Sequence, residues 1–487
     1  MKNLFDFTAP PDNEITLCEV DGRVHSMNIE FANLNIFTNV VDGYPSIHIT
    51  RESLHPIRTG EDAKELFIPV DVPFTKHLVQ IFYEQGYMEA LNVAANNQQF
   101  ILSKVAQGVL QMIDMINKVR LFWGSTDLQS TVSIMSTVSQ TRNWPNGIFR
   151  CIAWHFDQTK LAVGTSDDVV RIYSKGTNLV PILRCRQQRN ISMVSWRPLC
   201  DSEIAVACET CIIVWTIDPN SVVTRPSVSN AIILTENNHA PIVSIGWNQH
   251  GNILASAAAN DQKILMWDVE MTRSTAIKRP GGRGNMFLKW SLRGDKMFSA
   301  TNSVVFRVWE TFKWQSEKWN TLSGRVQTAC WSPCGQIILF ATTEESVIYA
   351  LSFSQTELIF TKDTNTSPNI AIPLFDVTEV DLDGIVVGGL IQSMDWDPTG
   401  NHLAVLFRDS NYVTIFTITF LPAVQINASC LVAGAPEETP CMIAFQKNFK
   451  QGACLSIGWS SGRLQYFPIV YSDTSASNVI RSIANTY

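Results

Sequence analysis

The 487-residue sequence contains no run of 18 or more apolar residues, so it does not predict a transmembrane helix. Its first residues, MKNLFDFTAPPDNEI, introduce proline and acidic residues before a hydrophobic segment could form, and no secretory signal peptide is expected. Apolar residues make up 45% of the chain, which is typical of globular proteins that fold in water. These absences favour a globular protein without a membrane span of its own.

Positive charge is also scarce, since 37 Lys and Arg residues oppose 44 Asp and Glu residues. Residues 1–140 hold nine of the basic and sixteen of the acidic residues, which leaves 28 of each sign in the rest of the chain. Neither part has the basic excess that drives binding to phosphates, so no direct contact with nucleic acid is predicted.

The motifs of metal and phosphate binding are missing as well. The sequence has no HExxH or EF-hand pattern, and the glycine-rich segment 280–284 (PGGRG) lacks the spacing of a phosphate-binding loop. Among eleven cysteines there is one CxxC pair, Cys208 and Cys211, without the second ligand pair that a zinc site needs. We therefore expect a non-enzymatic protein with no catalytic, cofactor or metal site, in which these cysteines flank a hairpin.

A repeat of aromatic pairs dominates the second two-thirds of the chain. Each pair joins an aromatic residue near the end of one apolar run to another aromatic 18 to 21 residues later, and leading aromatics follow one another at intervals of 42, 51, 43, 41, 65 and 49 residues. The seven pairs are Trp154/Tyr173, Trp196/Trp215, Trp247/Trp267, Trp290/Trp309, Trp331/Tyr349, Trp396/Phe416 and Phe445/Tyr466.

This period, with the Trp267-Asp268 dipeptide, predicts an all-β fold, a seven-bladed WD40 β-propeller with four short strands per blade. The paired aromatics are predicted to form its structural core. Asp168 and Asp261 are expected to brace turns within blades, and His239 occupies a position that WD40 repeats often fill with a structural histidine. Partner-binding residues cannot be assigned from these patterns.

The sequence predicts five regions. Residues 1–73 form an extended N-terminal region, 74–123 a helical segment, 124–141 a linker, 142–470 the propeller and 471–487 a short tail. Apolar residues at three- and four-residue spacing over 101–119 indicate an amphipathic helix with Asn97 as its N-cap, preceded by a shorter helix over 75–94. The apolar stripe of the longer helix can pack on the propeller or form a lipid or partner surface, and packing is the favoured use.

Two further features concern the edges of the blades. The long intervals between repeats contain polar stretches, 218–238 and 361–389, which we interpret as loop insertions. Few residues follow the last apolar run, whereas residues 14–28 alternate around Asp21-Gly22 as a hairpin does. We therefore expect residues 14–28 to pair with the last blade and cover its exposed strand edge.

The stretch RNISMVSWRPLCDSEIAVACETCIIVWTIDPNSVVTRPS, residues 189–227, resembles the second-repeat region of the WD-repeat nucleoporins. The resemblance continues through VFRVWE, TLSGRVQTACWSPCG, MDWDPTGNHLAVL and FKQGACLSIGWSSGRL, and so spans the propeller. The chain departs from the WD40 pattern in that one repeat closes with a literal Trp-Asp dipeptide and the others use substitutes.

The resemblance implies a component of the nuclear pore complex that a transmembrane nucleoporin holds at the nuclear envelope. It also implies a part in protein import and, in mitosis, at the spindle. Because the sequence contains no Phe-Gly dipeptide, the chain would act as a scaffold or adaptor that contacts other nucleoporins and not as part of the permeability barrier. An alternative is a WD40 substrate receptor of a ubiquitin ligase, which would need a ligase-docking element in residues 1–140. A propeller hydrolase is a weaker alternative, because no nucleophile and base can be named.

Overall fold

In a computed structural model the chain forms seven large β-sheets that are arranged as the blades of a propeller. The structure describes residues 2–11, 14–20, 22–28, 37, 41, 43–45, 47–50, 52–54, isolated positions between 94 and 112, 148–157, 159–177, 179–218, 223–278, 283–353, 371–420 and 424–471. The chain divides into two compact units, Met1–Leu54 with Val132–Tyr487, which holds the propeller, and His55–Thr131. The helices predicted for 75–119, the linker over 124–141 and the tail after Tyr471 lie outside the described residues, apart from those isolated positions.

The first three blades have four antiparallel strands each, which follow one another along the chain from the innermost strand to the outermost. Blade 1 contains β3 (Phe149–Trp154), β4 (Lys160–Thr165), β5 (Val170–Ser174) and β6 (Ile182–Leu183). Blade 2 contains β7 (Met193–Trp196), β8 (Glu203–Ala207), β9 (Ile212–Thr216) and β10 (Ala231–Leu234). Blade 3 contains β11 (Ile242–Trp247), β12 (Leu254–Ala258), β13 (Ile264–Asp268) and β14 (Arg273–Ile277).

The next three blades follow the same order. Blade 4 contains β15 (Asn285–Trp290), β16 (Lys296–Thr301), β17 (Val305–Glu310) and β18 (Gln315–Asn320). Blade 5 contains β19 (Val326–Trp331), β20 (Ile337–Thr342), β21 (Val347–Ser352) and β22 (Ile372–Asp376), and the hairpin of β23 (Val380–Leu382) and β24 (Ile385–Val387) follows it. Blade 6 contains β25 (Ile391–Trp396), β26 (His402–Phe407), β27 (Tyr412–Thr419) and β28 (Gln425–Ala433).

Blade 7 combines strands from both ends of the chain. Its inner strands are β29 (Pro440–Phe445), β30 (Gly452–Trp459) and β31 (Leu464–Val470), and β1 (Glu14–Val20) and β2 (Arg23–Asn28) complete the sheet. β1 lies parallel to β31, with Glu19 opposite Ile469 and Val20 opposite Val470, and β2 pairs antiparallel with β1. This is the pairing that the hairpin pattern of residues 14–28 predicts. It covers an edge strand that would otherwise expose unpaired backbone groups.

The first strands of the blades close the ring. β3 contacts β7, and the contacts continue through β11, β15, β19 and β25 to β29, which packs against β3 again. The middle strands are buried on both faces because a neighbouring blade covers each side; Leu254–Ala258 and Ile337–Thr342, for example, are buried at every position. The outer strand Gln315–Asn320 instead has four exposed and two half-buried residues, as expected at the rim.

Two of the sequence interpretations are wrong in part. The stretches 218–238 and 361–389 are not simply loop insertions, because each contains the outermost strand of its blade, Ala231–Leu234 in blade 2 and Ile372–Asp376 in blade 5. Within the second stretch, the acidic segment EVDLDG (residues 379–384) belongs to the β23–β24 hairpin. These outer strands are short and flanked by polar residues, so their pattern resembles that of a loop.

Candidate protein-interaction faces

Four leading tryptophans link one blade to the next in a regular way. The indole N–H of Trp196 donates to the Ala153 carbonyl oxygen at 3.1 Å, and that of Trp290 donates to the Gly246 carbonyl at 2.9 Å. Trp247 and Trp331 make equivalent bonds of 3.3 and 3.0 Å to the carbonyls of Ser195 and Lys289. In each case the acceptor directly precedes the leading tryptophan of the preceding blade. The repeat pattern located these residues but gave no sign of these bonds.

The aromatic residues of the seven predicted pairs are buried, except that Trp290 and Tyr349 are half-buried. Trp154 donates to Ser456 Oγ of blade 7 at 2.9 Å, which joins the first blade to the last. Trp396 instead donates to Gly400 in its own turn at 3.0 Å. The buried aromatic residues of the predicted set are Trp154, Tyr173, Trp196, Trp215, Trp247, Trp267, Trp309, Trp331, Trp396, Phe416, Phe445 and Tyr466.

Blade 3 contains a continuous chain of polar side chains. Asp261 Oδ2 lies 3.0 Å from His239 Nδ1, His239 Nε2 lies 2.9 Å from Ser256 Oγ, and the Trp267 indole N–H donates to the same hydroxyl at 2.8 Å. Burial raises the pKa of Asp261, but the hydrogen bonds from His239 and the Lys263 backbone N–H outweigh it and hold that pKa below its ordinary value. The network joins the loop before β11 to β12, β13 and the turn between them.

Asp168 occupies the corresponding turn of blade 1 with different partners. Its carboxylate accepts from Arg150 at 2.9 Å and from the Ile191 backbone N–H at 3.3 Å, and its backbone has a φ of 59°. The structure therefore does not bring Asp168 and Asp261 together, and each contacts groups of its own blade or of the loop that leads to the next.

The turns after the first strands form a ring on one side of the propeller. His155 Nε2 lies 3.1 Å from the Cys200 carbonyl, Arg197 Nε donates to the Gly251 carbonyl at 2.6 Å, and Asn448 Nδ2 donates to the Asp157 carbonyl at 3.1 Å. In the same way, Gln249 packs against Gly294, Arg293 against Gly335, and Pro333 against Gly400. Each of these contacts joins the turn of one blade to that of its neighbour.

We call this side face one. It comprises the connections from the first to the second strand and from the third to the fourth strand of each blade, and the remaining connections form face two. In the described part of the propeller the exposed large apolar side chains are concentrated on face one, face two carries Val304, Leu322 and Val386, and Val24 lies on the outermost strand of blade 7. Those on face one are Phe156, Leu179, Leu199, Val223, Val228, Met271, Leu292, Phe312 and Phe420.

Metal-ligating side chains do not converge in the part of the chain that the structure describes. Among the described residues, no cluster of three or more His, Cys, Asp or Glu side chains could hold a metal ion. Cys208 and Cys211 are buried at the ends of the β8–β9 turn, and the Cys208 backbone N–H donates to the Cys211 carbonyl at 2.9 Å. Both faces thus offer loops and apolar side chains for contact with other macromolecules.

Comparison with known proteins agrees with the seven blades of the ring. The family model of the Aladin seven-bladed propeller matches residues 130–470. The chain belongs to the Aladin family. The protein named Aladin from Arabidopsis thaliana is 28% identical over 349 residues, which cover 66% of this chain and 75% of that protein.

The similarity to a solved propeller concerns the fold alone. The β-propeller domain of Cps50 (Swd1) from Myceliophteria thermophila has a TM-score of 0.50 and 16% identity, and the match covers 66% of this chain and 96% of that domain. Among the residues that the structure describes, no helix has the length and hydrophobicity to cross a membrane.

Proposed function

We propose that this protein is a scaffold or adaptor nucleoporin of the nuclear pore complex, held at the nuclear envelope by a transmembrane nucleoporin. Membership of the Aladin propeller family supports the proposal, because the family model matches residues 130–470, which hold every blade strand except the N-terminal hairpin of blade 7. The proposed role includes support of protein import and, in mitosis, a place at the spindle.

The ring favours a binding role and not a catalytic one. Its connections present loops from several blades on two faces, and propellers of this kind use such loops to hold other proteins. The apolar residues on face one offer contact area for other proteins. The chain would therefore act by connecting proteins, without a cofactor and without direct contact with nucleic acid.

Imaging of the tagged full-length chain tests this proposal. We expect a punctate nuclear rim, and we expect alkaline or high-salt treatment to extract the protein from envelopes as it does peripheral proteins. Truncation before Cys441, which removes the last repeat, should abolish the rim signal. Diffuse cytosolic protein that co-purifies with a ubiquitin ligase would contradict the pore role, and resistance to extraction would contradict anchoring through a protein partner.

A further inference from the structure

The turn between the second and third strands of blade 2 has a thiol at each end. Cys208 directly follows β8 and Cys211 directly precedes β9, so Glu209 and Thr210 form the tip of the turn on face two. These two cysteines are the CxxC pair of the sequence. The proposed function makes no use of either thiol.

The strand register sets the two cysteines directly opposite each other. β8 and β9 pair antiparallel with Ala207 opposite Ile212, so the next residue of each strand faces the other as well. The Cys208 backbone N–H donates to the Cys211 carbonyl at 2.9 Å. The Cα atoms of such a hydrogen-bonded pair lie about 5.5 Å apart, inside the range of roughly 4.4–6.8 Å that a disulfide spans. The backbone therefore already has the separation that an S–S bond requires.

The two side chains also share one environment. Residues directly opposite each other on antiparallel strands project from the same face of the sheet. Both thiols are buried in the apolar cluster between blades 1 and 2 that contains Trp215, and they hydrogen-bond to each other. The sulfur atoms thus meet inside the protein.

This contact makes the two thiols unequal. The hydrogen bond with Cys208 lowers the pKa of Cys211 and outweighs the burial that would raise it. The same hydrogen bond, together with burial, raises the pKa of Cys208. Because the thiolate is the nucleophile in thiol oxidation, Cys211 is the thiol that reacts first and Cys208 is the one that resolves the product.

The turn joins two neighbouring connections of face two. The Glu209 backbone N–H donates to the Arg189 carbonyl at 2.9 Å, in the connection from blade 1 to blade 2. The Glu209 carbonyl accepts from the Ile242 N–H at 3.1 Å, at the start of blade 3, and its carboxylate accepts from Asn190 Nδ2 at 2.7 Å. A covalent bond across the ends of this turn therefore acts on both connections.

Burial of the pair selects the size of the reagent. Cys208 is fully buried and Cys211 is 2% exposed, whereas Thr210 between them is exposed. A small oxidant such as hydrogen peroxide reaches the thiols when the turn opens locally. The same burial slows attack by larger thiols on a disulfide that has formed there.

We propose that Cys208 and Cys211 form a reversible disulfide in the presence of a hydroperoxide, and that this bond alters the two connections of face two that the turn joins. The Cys211 thiolate attacks one oxygen of hydrogen peroxide, the O–O bond breaks, and the departing hydroxide takes up the thiol proton as Cys211 becomes a sulfenic acid. The Cys208 sulfur then attacks the Cys211 sulfur, and its proton leaves with the hydroxyl group as water. The thiols lose two electrons and the peroxide gains them. This inference goes beyond the proposed function and does not depend on it.

The test treats the purified full-length protein with hydrogen peroxide, alkylates the remaining free thiols and maps the peptides by mass spectrometry. We expect the peptide that contains residues 208–211 to lose two hydrogens without alkylation at either cysteine, and to regain both thiols after treatment with dithiothreitol. Cys200, a half-buried thiol on face one, is the internal control and should form no disulfide.

Serine variants separate the two roles. In Cys208→Ser the resolving thiol is absent, so Cys211 should remain a sulfenic acid that dimedone traps. In Cys211→Ser we expect no trapped product at Cys208, because the pKa of that thiol is raised. The matched control Cys200→Ser should form the disulfide as the wild type does. If Cys208→Ser lowers the melting temperature, Cys208→Ala replaces it, because alanine adds no polar group to the buried site.

Free thiols at positions 208 and 211 under conditions that oxidise Cys200 would overturn the proposal. So would a disulfide from either residue to Cys185, a half-buried thiol that packs against the same apolar cluster. Hydrogen exchange measured by mass spectrometry tests the effect on face two, and we expect oxidation to change the protection of residues 184–191 and 236–242. Unchanged protection of both connections would refute that effect.

Discussion

Blades 3 and 7 occupy equivalent places in the ring but draw on different parts of the sequence. Blade 3 is contiguous, from the loop that carries His239 to Ile277, and its polar network uses residues of that stretch alone. Blade 7 takes its inner strands from residues 440–470 and its outer strands from residues 14–28. A contiguous blade can form its contacts locally, whereas blade 7 is completed when the two ends of the propeller chain meet.

Polar contacts hold the N-terminal strand of blade 7 in place. Ser429 Oγ donates to the Glu19 carboxylate at 3.2 Å, and the Ala433 backbone N–H donates to Thr16 Oγ1 at 3.0 Å. Gln465 Nε2 donates to the Thr16 carbonyl oxygen at 2.7 Å. Because blade 6 supplies two of these partners, the hairpin fastens both the last blade and its neighbour.

Deletion of residues 14–28, which form the outer strands of blade 7, should have the largest effect on stability. The loss would leave the edge of Leu464–Val470 unpaired, although every residue of that strand is buried in the intact protein. We expect the folded monomer to be lost to aggregation, as judged by size-exclusion chromatography. A monomeric deletion variant with wild-type circular dichroism would show that the hairpin is dispensable.

Trp267→Ala in blade 3 should have the next largest effect. The indole is 2% exposed, and its removal leaves a cavity and takes one of two hydrogen-bond partners from the Ser256 hydroxyl. The free energy of unfolding should fall by about 3–5 kcal/mol in chemical denaturation. Trp267→Phe, which keeps much of the volume, serves as the control and should cost less; equal losses for the two variants would contradict the assignment to the core.

His239→Ala tests the polar network without removing a large core side chain. It leaves Ser256 and Asp261 short of a partner, and the expected loss is about 1–3 kcal/mol of unfolding free energy. A double-mutant cycle with Ser256→Ala should give a coupling of about 0.5–3 kcal/mol. Additive losses would indicate that the two side chains do not act as a unit.

Glu19→Ala is the corresponding test in blade 7. The carboxylate is 3% exposed and accepts from Ser429 and Cys430, so its removal should cost about 1–3 kcal/mol. Glu19→Gln retains an acceptor oxygen and should cost less. An alanine variant as stable as the wild type would show that backbone pairing alone holds the hairpin.

The smallest expected effect is the loss of stability at acid pH that depends on Asp261 of blade 3. Since the folded pKa of Asp261 is lowered, its ionised form stabilises the protein above the ordinary pKa of 3.8, and this contribution is lost as the pH falls through the folded pKa. Asp261→Asn should therefore flatten the decline of the melting temperature below about pH 4. An unchanged slope would mean that other carboxylates dominate the acid response.

The sequence alone determined the number of blades and the residues that mark them. The Trp and Tyr pairs could be recognised because each blade repeats one short pattern of buried strands, and the hairpin around Gly22 could be recognised from its alternation. The outer strands Ala231–Leu234 and Ile372–Asp376 escaped detection because they are brief and lie at the rim, where one face needs no apolar cover.

Only the tertiary structure decided which groups meet. The bond from each of four leading tryptophans to the carbonyl of the preceding blade joins residues that lie 42 to 52 positions apart. The concentration of Leu199, Met271, Leu292 and Phe312 on one face likewise arises because antiparallel strands return alternate turns to the same side of the ring. Sequence spacing records strand periodicity, whereas contacts between blades depend on how the closed ring sets each blade against the next.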